Sequence, residues 1–427
     1  MPKFAHLSDC HIGAWRDVRL RELNLRSFEI AVDSIIDEQV DFLVISGDLF
    51  HVNLPDLDSV RRVVTKLREA KDSGIPAYAV YGSHDYSPNA TAMVDILASA
   101  GLLTRVVDAE VDEGQVKLRY ISDPKTGVKL CGLSGRSYAL ERHYYEVLDR
   151  ASLEDEEGFR IFVFHSAIEE IKPAYAAYGI GIQASYLPRG LEYYAGGHIH
   201  QYIEERLSEL GIVVYPGTLF GSTFSDLELY AKGVKRGYVI VEFEDSVKTI
   251  RFMESKIREI VFEVFSGDNR SSKEVEELIL TWVEDTNVYQ KIVLIKVEGV
   301  LSSGKVTEIN FNGAREELYN QGAEFVSINR RNLITRDIPE VKVVGETPSQ
   351  IEEETLREAL SDFFIPKLSE DVHKWVEAQF KGENGVKLAL KLLQALKTEK
   401  QEGETNYDFE ERILRDGLSI IPRWEPE

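Results

Sequence analysis

Residues 41–51 read DFLVISGDLFH. Phe42, Leu43, Val44 and Ile45 form an unbroken apolar run that stops at Gly47-Asp48. A short run of this kind, lacking the alternation of a strand with one wet face, predicts a strand buried on both sides, as in a parallel sheet. Upstream, Lys3 to Ser8 reads as a strand ending in Asp9, and Leu25 to Glu38 carries Phe28, Ile30, Ala31, Ile35 and Ile36 near the helical period. Downstream, Asp58 to Ser73 sets Val60, Val63, Val64 and Leu67 on one helical face, and Ile75 to Tyr81 is a third strand that stops at Gly82. Strands separated by helices of a dozen residues or more imply βαβ units with right-handed crossovers.

The alternation continues with a helix at Ala90 to Ala100 and strands at Lys129 to Leu133, Arg160 to Phe164, Tyr193 to Ala195 and Ile212 to Tyr215. Arg236 to Phe243 and Lys248 to Met253 read as an antiparallel pair that closes a first domain, residues 1–255. Residues 256–338 read as a small α+β domain: strands at Ile257 to Phe265, Lys291 to Val297 and Glu324 to Asn329, a helix at Ser271 to Glu284, and a segment Val306 to Tyr319 whose start the pattern leaves open. With no cluster of histidines or cysteines, this domain is expected to shape or gate a site rather than to catalyse. Pro339, Gly345 and Pro348 mark a linker over 339–350. The tail, 351–427, is helical, with segments at Ile351 to Phe364, Leu368 to Phe380, Gly385 to Glu399 and Asp408 to Gly417. Short amphipathic helices such as the one bearing Val386, Leu388, Leu390, Leu393 and Leu396 are marginal alone and bury their apolar face, either on the body of the protein or on a partner.

A chain of 427 residues exceeds one ordinary hydrophobic core, so two or three domains are expected. Apolar residues at 43% and charged residues at 29% describe a soluble globular protein. No run of eighteen apolar residues and no cleavable signal pattern occurs, which argues for a cytoplasmic protein without a membrane span. Two cysteines are too few for a disulfide framework. Cys10, between Asp9 and His11, is either a ligand or a small buried side chain turned away from them, the ordinary fate of a lone cysteine. The formal net charge of -23 argues against a broad nucleic-acid-binding surface, because such surfaces neutralise phosphates with lysine and arginine. It leaves room for a nuclease whose metal ions or partner subunit supply the positive charge.

The chemistry-bearing residues share one placement, just past the end of a strand: Asp9 and His11 after the first, Asp48 after the second, His84 and Asp85 after the third, then His165, and His198 with His200. In an open α/β sheet the crevice beyond the carboxyl ends of the strands is where ligands bind. Mixed imidazole and carboxylate donors suit manganese, iron, zinc or cobalt better than magnesium. If Asp9 and His11 sit two apart on extended backbone, both point the same way and clasp one ion, and His198 with His200 repeats that geometry. Asp48 can bridge two ions, and a pair of ions can drive an in-line displacement at phosphorus. A lone histidine is more often structural than a ligand, and His6, His143 and His373 are read so. Six of the nine histidines at strand ends, beside glycine or acidic residues, is too regular a placement for that reading to hold throughout.

These residues resemble the five motifs of the calcineurin-like metallophosphoesterases: Asp9-Cys10-His11, Gly47-Asp48, Gly82-Ser83-His84-Asp85, His165, and Gly197-His198-Ile199-His200. The resemblance implies a four-layer α/β/β/α sandwich holding two metal ions. Phe4-Ala5-His6-Leu7-Ser8-Asp9, Ser46-Gly47-Asp48-Leu49-Phe50-His51 and Tyr215-Pro216-Gly217-Thr218-Leu219 narrow it to the nuclease subunits of archaeal double-strand-break repair, relatives of the bacterial SbcD nucleases. That family implies a manganese-dependent homodimer with 3′→5′ exonuclease activity on duplex DNA ends and endonuclease activity on single strands. It also implies a coiled-coil, SMC-like ATPase gripping helices C-terminal to the small domain. In the roles it implies, Asp9, His11, Asp48 and His200 serve one ion, with Asp48 bridging, and His165 and His198 serve the other. His84 gives a proton to the leaving oxygen or stabilises the transition state, and His51 positions the phosphate.

One position departs from the pattern. Ser83 stands where the family has an asparagine ligand, and a hydroxyl reaches less far and binds a cation less well than an amide oxygen. The second ion is therefore expected to be held weakly or through water. Two rival functions follow: a phosphodiesterase for small or non-DNA phosphoesters, which the acidic charge suits, and a DNA-end-binding scaffold with weak hydrolytic activity.

Overall fold

The computed structural model describes residues 1–86, 91–112, 114–136, 141–173, 181–335, 352, 353, 356, 357, 360, 370–398, 401 and 406–422. The chain divides into two compact units, Met1–Arg336 and Asp337–Glu427.

Two six-stranded sheets dominate the first unit. One contains β1 (Lys3–Leu7), β2 (Phe42–Ser46), β3 (Ala77–Val80) and the two-residue β4 (Thr104–Arg105), all parallel, flanked by antiparallel β13 (Gly237–Phe243) and β14 (Val247–Glu254). Their order is β14-β13-β1-β2-β3-β4. The other contains β7 (Ile121–Ser122), β8 (Lys129–Leu133), β9 (Arg160–His165), β10 (Tyr193–Gly197), β11 (Ile203–Leu207) and β12 (Gly211–Tyr215), in the order β11-β12-β10-β9-β8-β7. A small hairpin, β5 (Ala109–Asp112) with β6 (Gln115–Leu118), stands apart.

Strand periodicity explains the layering, because alternate side chains point to opposite faces. In β2, Phe42 and Val44 enter the core between the sheets, while Leu43 and Ile45 pack with α1 (Val18–Asp37) and α2 (Leu57–Asp72). In β9, Ile161 and Val163 face the same inter-sheet core, whereas Phe162 and Phe164 pack on the far side with Tyr145 of α4 (Arg142–Glu146) and Leu153 of α5 (Ala151–Glu154). The result is the four-layer α/β/β/α sandwich. The apolar run that looked uniform in sequence is thus split between two cores. His6, on the inner face of β1, is fully buried, with Nδ1 2.9 Å from the Tyr193 hydroxyl and Nε2 2.8 Å from Ser46 Oγ.

Helix α1 begins seven residues before the predicted segment. Asp17 caps it, accepting from the Arg19 and Leu20 amides, and the first turns alternate charged and apolar residues. Helix α3 (Met93–Ser99) is shorter than expected, and residues 87–90 lie outside the described set. β11 escaped prediction because it is an edge strand whose Glu204, Glu205 and Arg206 are exposed.

Within the same unit, β15 (Ile260–Ser266), α7 (Ser272–Asp285), β16 (Ile292–Leu301), α8 (Phe311–Asn320) and β17 (Phe325–Thr335) form a three-stranded sheet that is wholly parallel, with α7 and α8 as its crossovers. Ser271 caps α7, accepting from the Glu274 amide, and a single 3-10 turn at Val306–Glu308 precedes α8, which is why that segment's start was hard to fix.

The second unit contains α9 (Glu370–Phe380), α10 (Gly382–Leu396) and α11 (Asn406–Ile420). The expected linker over 339–350 and most of the helix expected at 351–364 lie outside the described residues, as does the side chain of His373.

Candidate metal centre

The carboxyl ends of β1, β2, β3, β9 and β10 gather the predicted residues at one end of the sandwich. The first two loops lock together through backbone bonds: Asp9 N to Gly47 O (3.1 Å), His11 N to Asp48 O (2.9 Å) and Ile12 N to Leu49 O (3.0 Å). The buried Asp85 carboxylate adds a tie, accepting from Leu49 N (3.2 Å), Phe50 N (3.0 Å) and Gly82 N (3.0 Å). Burial, then the Asp48 charge, push Asp85 up to about 6. At Gly82 any side chain is excluded, since a Cβ there would lie 2.0 Å from Asp48 Oδ1.

The backbone at these positions corrects one expectation. Asp9 (φ 49°), His11 (φ 45°) and His198 (φ 86°) lie in the left-handed region, not on extended chain, and so does Asp48 (φ 51°). Asp9 and His11 converge because tight turns aim them, not because of strand pleat, and His198 and His200 do not pair as one clasp. Four of the seven described non-glycine residues with positive φ are thus candidate ligands. Such conformations cost roughly 1–3 kcal/mol each and persist where surrounding structure enforces them, as at functional sites.

Three groups of side chains result. Asp9, His11 and His200 form the first: His11 Nε2 and His200 Nε2 are 3.1 Å apart, and each is 3.9 Å from Asp9 Oδ1. Asp9, Asp48 and His165 form the second, with His165 Nε2 3.2 Å from Asp48 Oδ2, itself 3.6 Å from His11 Nε2. His11, His51 and His84 form the third: His51 Nδ1 is 3.4 Å from His11 Nδ1, and the His51 and His84 rings stack with centroids 4.6 Å apart. His198 stands off from these groups. Its amide donates to both Asp9 oxygens (3.1 and 3.0 Å), while its exposed ring lies edge-on to His165 with centroids 5.3 Å apart. Ser83 Oγ comes no nearer than 3.5 Å to Asp48 Oδ2. Cys10 is buried in the core under α1, its Sγ directed at the Ser8 carbonyl (3.9 Å), so the ligand reading of Cys10 is set aside.

Electrostatics bind the groups into one unit. Burial would raise Asp48, but the His165 and His11 charges outweigh it and hold the carboxylate well below its ordinary range. Burial lowers His165 and the Asp48 carboxylate overrides that, lifting it to about 10. For His200, burial is overridden by the bond and charge of Asp226, giving about 9. Protons therefore stand where cations would otherwise neutralise the carboxylates, and metal binding at such a site releases them.

Sequence reasoning missed Asp226. It lies at the third position of α6 (Phe224–Ala231), reciprocally capped with Thr223, and its Oδ1 is 3.0 Å from His200 Nδ1. The Thr223-to-Asp226 spacing is a legible capping box, although nothing local says that the carboxylate also orients a histidine.

The residues fit a metal. His165 Nε2 is buried with no neighbour but the Asp48 carboxylate, which does not meet it in hydrogen-bond geometry, while its Nδ1 lies 2.8 Å from the Ser46 carbonyl. The His11 and His200 Nε2 atoms face each other with room for one proton between them, an arrangement a shared cation satisfies. The donor set, imidazole and carboxylate, is that of borderline divalent ions.

Comparison with known proteins agrees. Residues 2–202 match the calcineurin-like phosphoesterase family. The chain is similar to the DNA double-strand break repair protein Mre11 of Sulfurisphaera tokodaii, 25% identical over 81% of this chain and 85% of the relative. It is also similar to the protein of the same name from Archaeoglobus fulgidus, 24% identical over 89% and 91%. A solved dimetal phosphatase from Danio rerio is more distant, with a TM-score of 0.39 and 11% identity, covering 59% of this chain and 97% of that one. The motifs, in order and converging on one buried cluster of nitrogen and oxygen donors, all lie within residues 2–202, the stretch that matches the calcineurin-like phosphoesterase family.

Proposed function

We propose that this protein is a manganese-dependent DNA nuclease that trims duplex ends 3′→5′ and cuts single strands, acting as a homodimer with a coiled-coil ATPase in double-strand-break end processing. The observation that carries this reading is the convergence of Asp9, His11, Asp48, His165, His200 and His84 on one crevice, in a chain whose relatives are named for DNA repair.

On this reading Asp9, His11, Asp48 and His200 would hold one ion, and His165, with His198 turning its exposed ring inward, would hold the other beside Asp48. Bound there, the ions activate a water and neutralise the phosphoryl oxygens of an in-line displacement. The chain's own side chains do the rest. His84 Nδ1 lies 2.8 Å from the His51 carbonyl and can only donate to it, so Nε2 of the imidazolium form is the nitrogen free to give its proton to the leaving oxygen, which leaves the neutral ring with its proton on Nδ1. The His84 amide donates to Asp48 Oδ1 (2.8 Å), which ties the proton donor to the shared ligand. On this reading His51, whose ring stacks on His84, contacts the phosphate.

The small sheet, in a domain we place at 256–338, shapes the approach to this crevice. The tail supports an ATPase-docking role: α10 and α11 line an apolar groove of about 430 Å³ with Leu392, Leu396, Phe409, Ile413, Leu414 and Leu418. No described helix is long and apolar enough to cross a membrane; the cytoplasm is where we place this task.

The test is digestion of linear duplex and single-stranded DNA with and without manganese, using His84→Ala as control. Cleavage that persists unchanged in the variant would sink the assignment of His84. Ser83 favours a second reading, an end-binding subunit with weak catalysis, because its hydroxyl barely reaches Asp48. Counting bound manganese during titration separates the two: a second ion binding as tightly as the first removes the ground for the weaker reading.

A further inference from the structure

Beside the metal crevice lies a cation that the reaction described above does not use. Arg136 follows β8, and the residue before it is pressed against the site. The Gly135 amide donates to the Tyr81 carbonyl (2.9 Å), just before the Gly82-Ser83-His84 turn, and a Cβ on Gly135 would lie 2.7 Å from His165 Cδ2. The Arg136 amide donates to Glu141 Oε2 (3.1 Å), whose other oxygen accepts from the Ser166 hydroxyl (3.3 Å). Arg136 is thereby fixed to both strand ends that deliver His84 and His165.

Its guanidinium is held from two sides. The carbon Cζ lies 5.0 Å from the ring centre of Tyr86, two residues past His84, and 4.5 Å from that of Tyr144. What it lacks is a counter-charge. Lys129, Arg142 and Arg160, on the same half of the molecule, each meet a glutamate, whereas no carboxylate among the described residues lies within ion-pair distance of Arg136. The aromatic faces restrict the side chain before any ligand arrives, so little rotamer freedom remains to be lost on binding, and a guanidinium offers paired donors that match phosphate oxygens.

We propose that Arg136, clamped between Tyr86 and Tyr144, binds a phosphate of the DNA strand next to the scissile one. This rests on the nuclease reading above and adds to it a residue that sets preference for polynucleotides over isolated phosphodiesters. It also bears on how an acidic protein holds DNA: one fixed cation at the crevice takes the place of a basic surface.

The test compares Arg136→Gln and Arg136→Lys with the unaltered protein, all manganese-loaded, on single-stranded DNA, duplex DNA and bis(p-nitrophenyl) phosphate, a diester with no neighbouring phosphate. In Arg136→Gln the KM for DNA should rise about tenfold, the scale of one lost charge-assisted contact. The salt dependence of DNA binding should flatten by about one unit of slope. The loss on the small diester should be several-fold less than the loss on DNA, and Arg136→Lys, which keeps charge but not the stacked fork, should fall between. Equal losses on DNA and small diester would overturn the proposal, placing Arg136 in service of the metal centre or the fold. An unchanged KM and salt slope on DNA would overturn it as well. If the unaltered protein hydrolyses the small diester but no DNA, the nuclease reading itself fails, and this inference falls with it.

Discussion

His6 and His165 are both completely enclosed, one residue deep in the sandwich and the other at its end, and they treat their ring nitrogens differently. His6 has a partner on each nitrogen, Tyr193 and Ser46. His165 has the Ser46 carbonyl on one and, on the other, only the Asp48 carboxylate 3.2 Å away, itself a candidate ligand for the same ion. His200 and His84 follow His165: Nδ1 is engaged by Asp226 in the first and by the His51 carbonyl in the second, which leaves each Nε2 directed at the crevice. A structural histidine saturates both nitrogens within the protein, whereas a working one spends one nitrogen on orientation and keeps the other for what binds. That difference separates fold from function more sharply than burial does.

The harshest way to break the comparison is Asp48→Asn. Asp48 Oδ2 sits near both His165 and His11, and Oδ1 accepts from the His84 amide, so the one carboxylate serves every group. Losing its charge should lower phosphodiester hydrolysis about a thousandfold or more, since charge stabilisation by a bound ion is worth several kcal/mol. Manganese counting should show fewer ions bound. Activity within tenfold of the unaltered protein would mean that Asp48 is no shared ligand. Next, His84→Ala should reduce turnover on the order of 10²–10⁴-fold, the range of a general acid, with manganese content retained. Loss of manganese in that variant would recast His84 as a ligand. A smaller effect tests orientation alone. Asp226→Asn should weaken one manganese ion by about 10- to 100-fold and spare the other, because Asp226 touches His200 and not His165. Calorimetric titration showing both ions equally weakened would contradict the division into two groups.

Much of this was legible in the chain. Unbroken runs such as Phe42 to Ile45 and Phe162 to Phe164 mark central strands because both faces are buried, and their ends place Asp9, Asp48, His84 and His165 together without knowledge of the turns. The turns themselves were hidden. Left-handed backbone is uncommon even for Asp and His, which tolerate it better than most residues, and here it follows from tertiary bonds: the loops after β1 and β2 bond to each other, and the His198 amide is held by the Asp9 carboxylate. Asp226 was hidden for a different reason: a capping box has a sufficient local explanation, so its second role shows only when α6 is seen beside His200. Edge strand β11, with charges along its length, carries too little apolar signal to be read at all.

The mildest expectation concerns His6 and needs no metal. Burial lowers its pKa from 6.5 to about 3, so the folded protein holds this ring neutral while the unfolded chain would protonate it. Between those values the unfolded state binds the extra proton, and the contribution is fully present above pH 6.5 and lost as pH falls toward 3. From pH 6.5 to 5.5 the loss is about 1 kcal/mol, because the unfolded ring is only half protonated at the start, and the slope nears about 1.4 kcal/mol per unit below that. Carboxylates held below their ordinary range, Asp48 among them, add a loss of the same sign at lower pH, so the total slope alone does not isolate His6. His6→Gln does: it keeps a donor and an acceptor for Tyr193 and Ser46 but cannot titrate. The variant should start less stable at pH 7.5 and lose less on acidification, and urea unfolding at both pH values reads the difference. Parallel pH profiles for the two proteins would mean that His6 protonates without cost, and the contrast between the saturated and the open histidine would lose its energetic content.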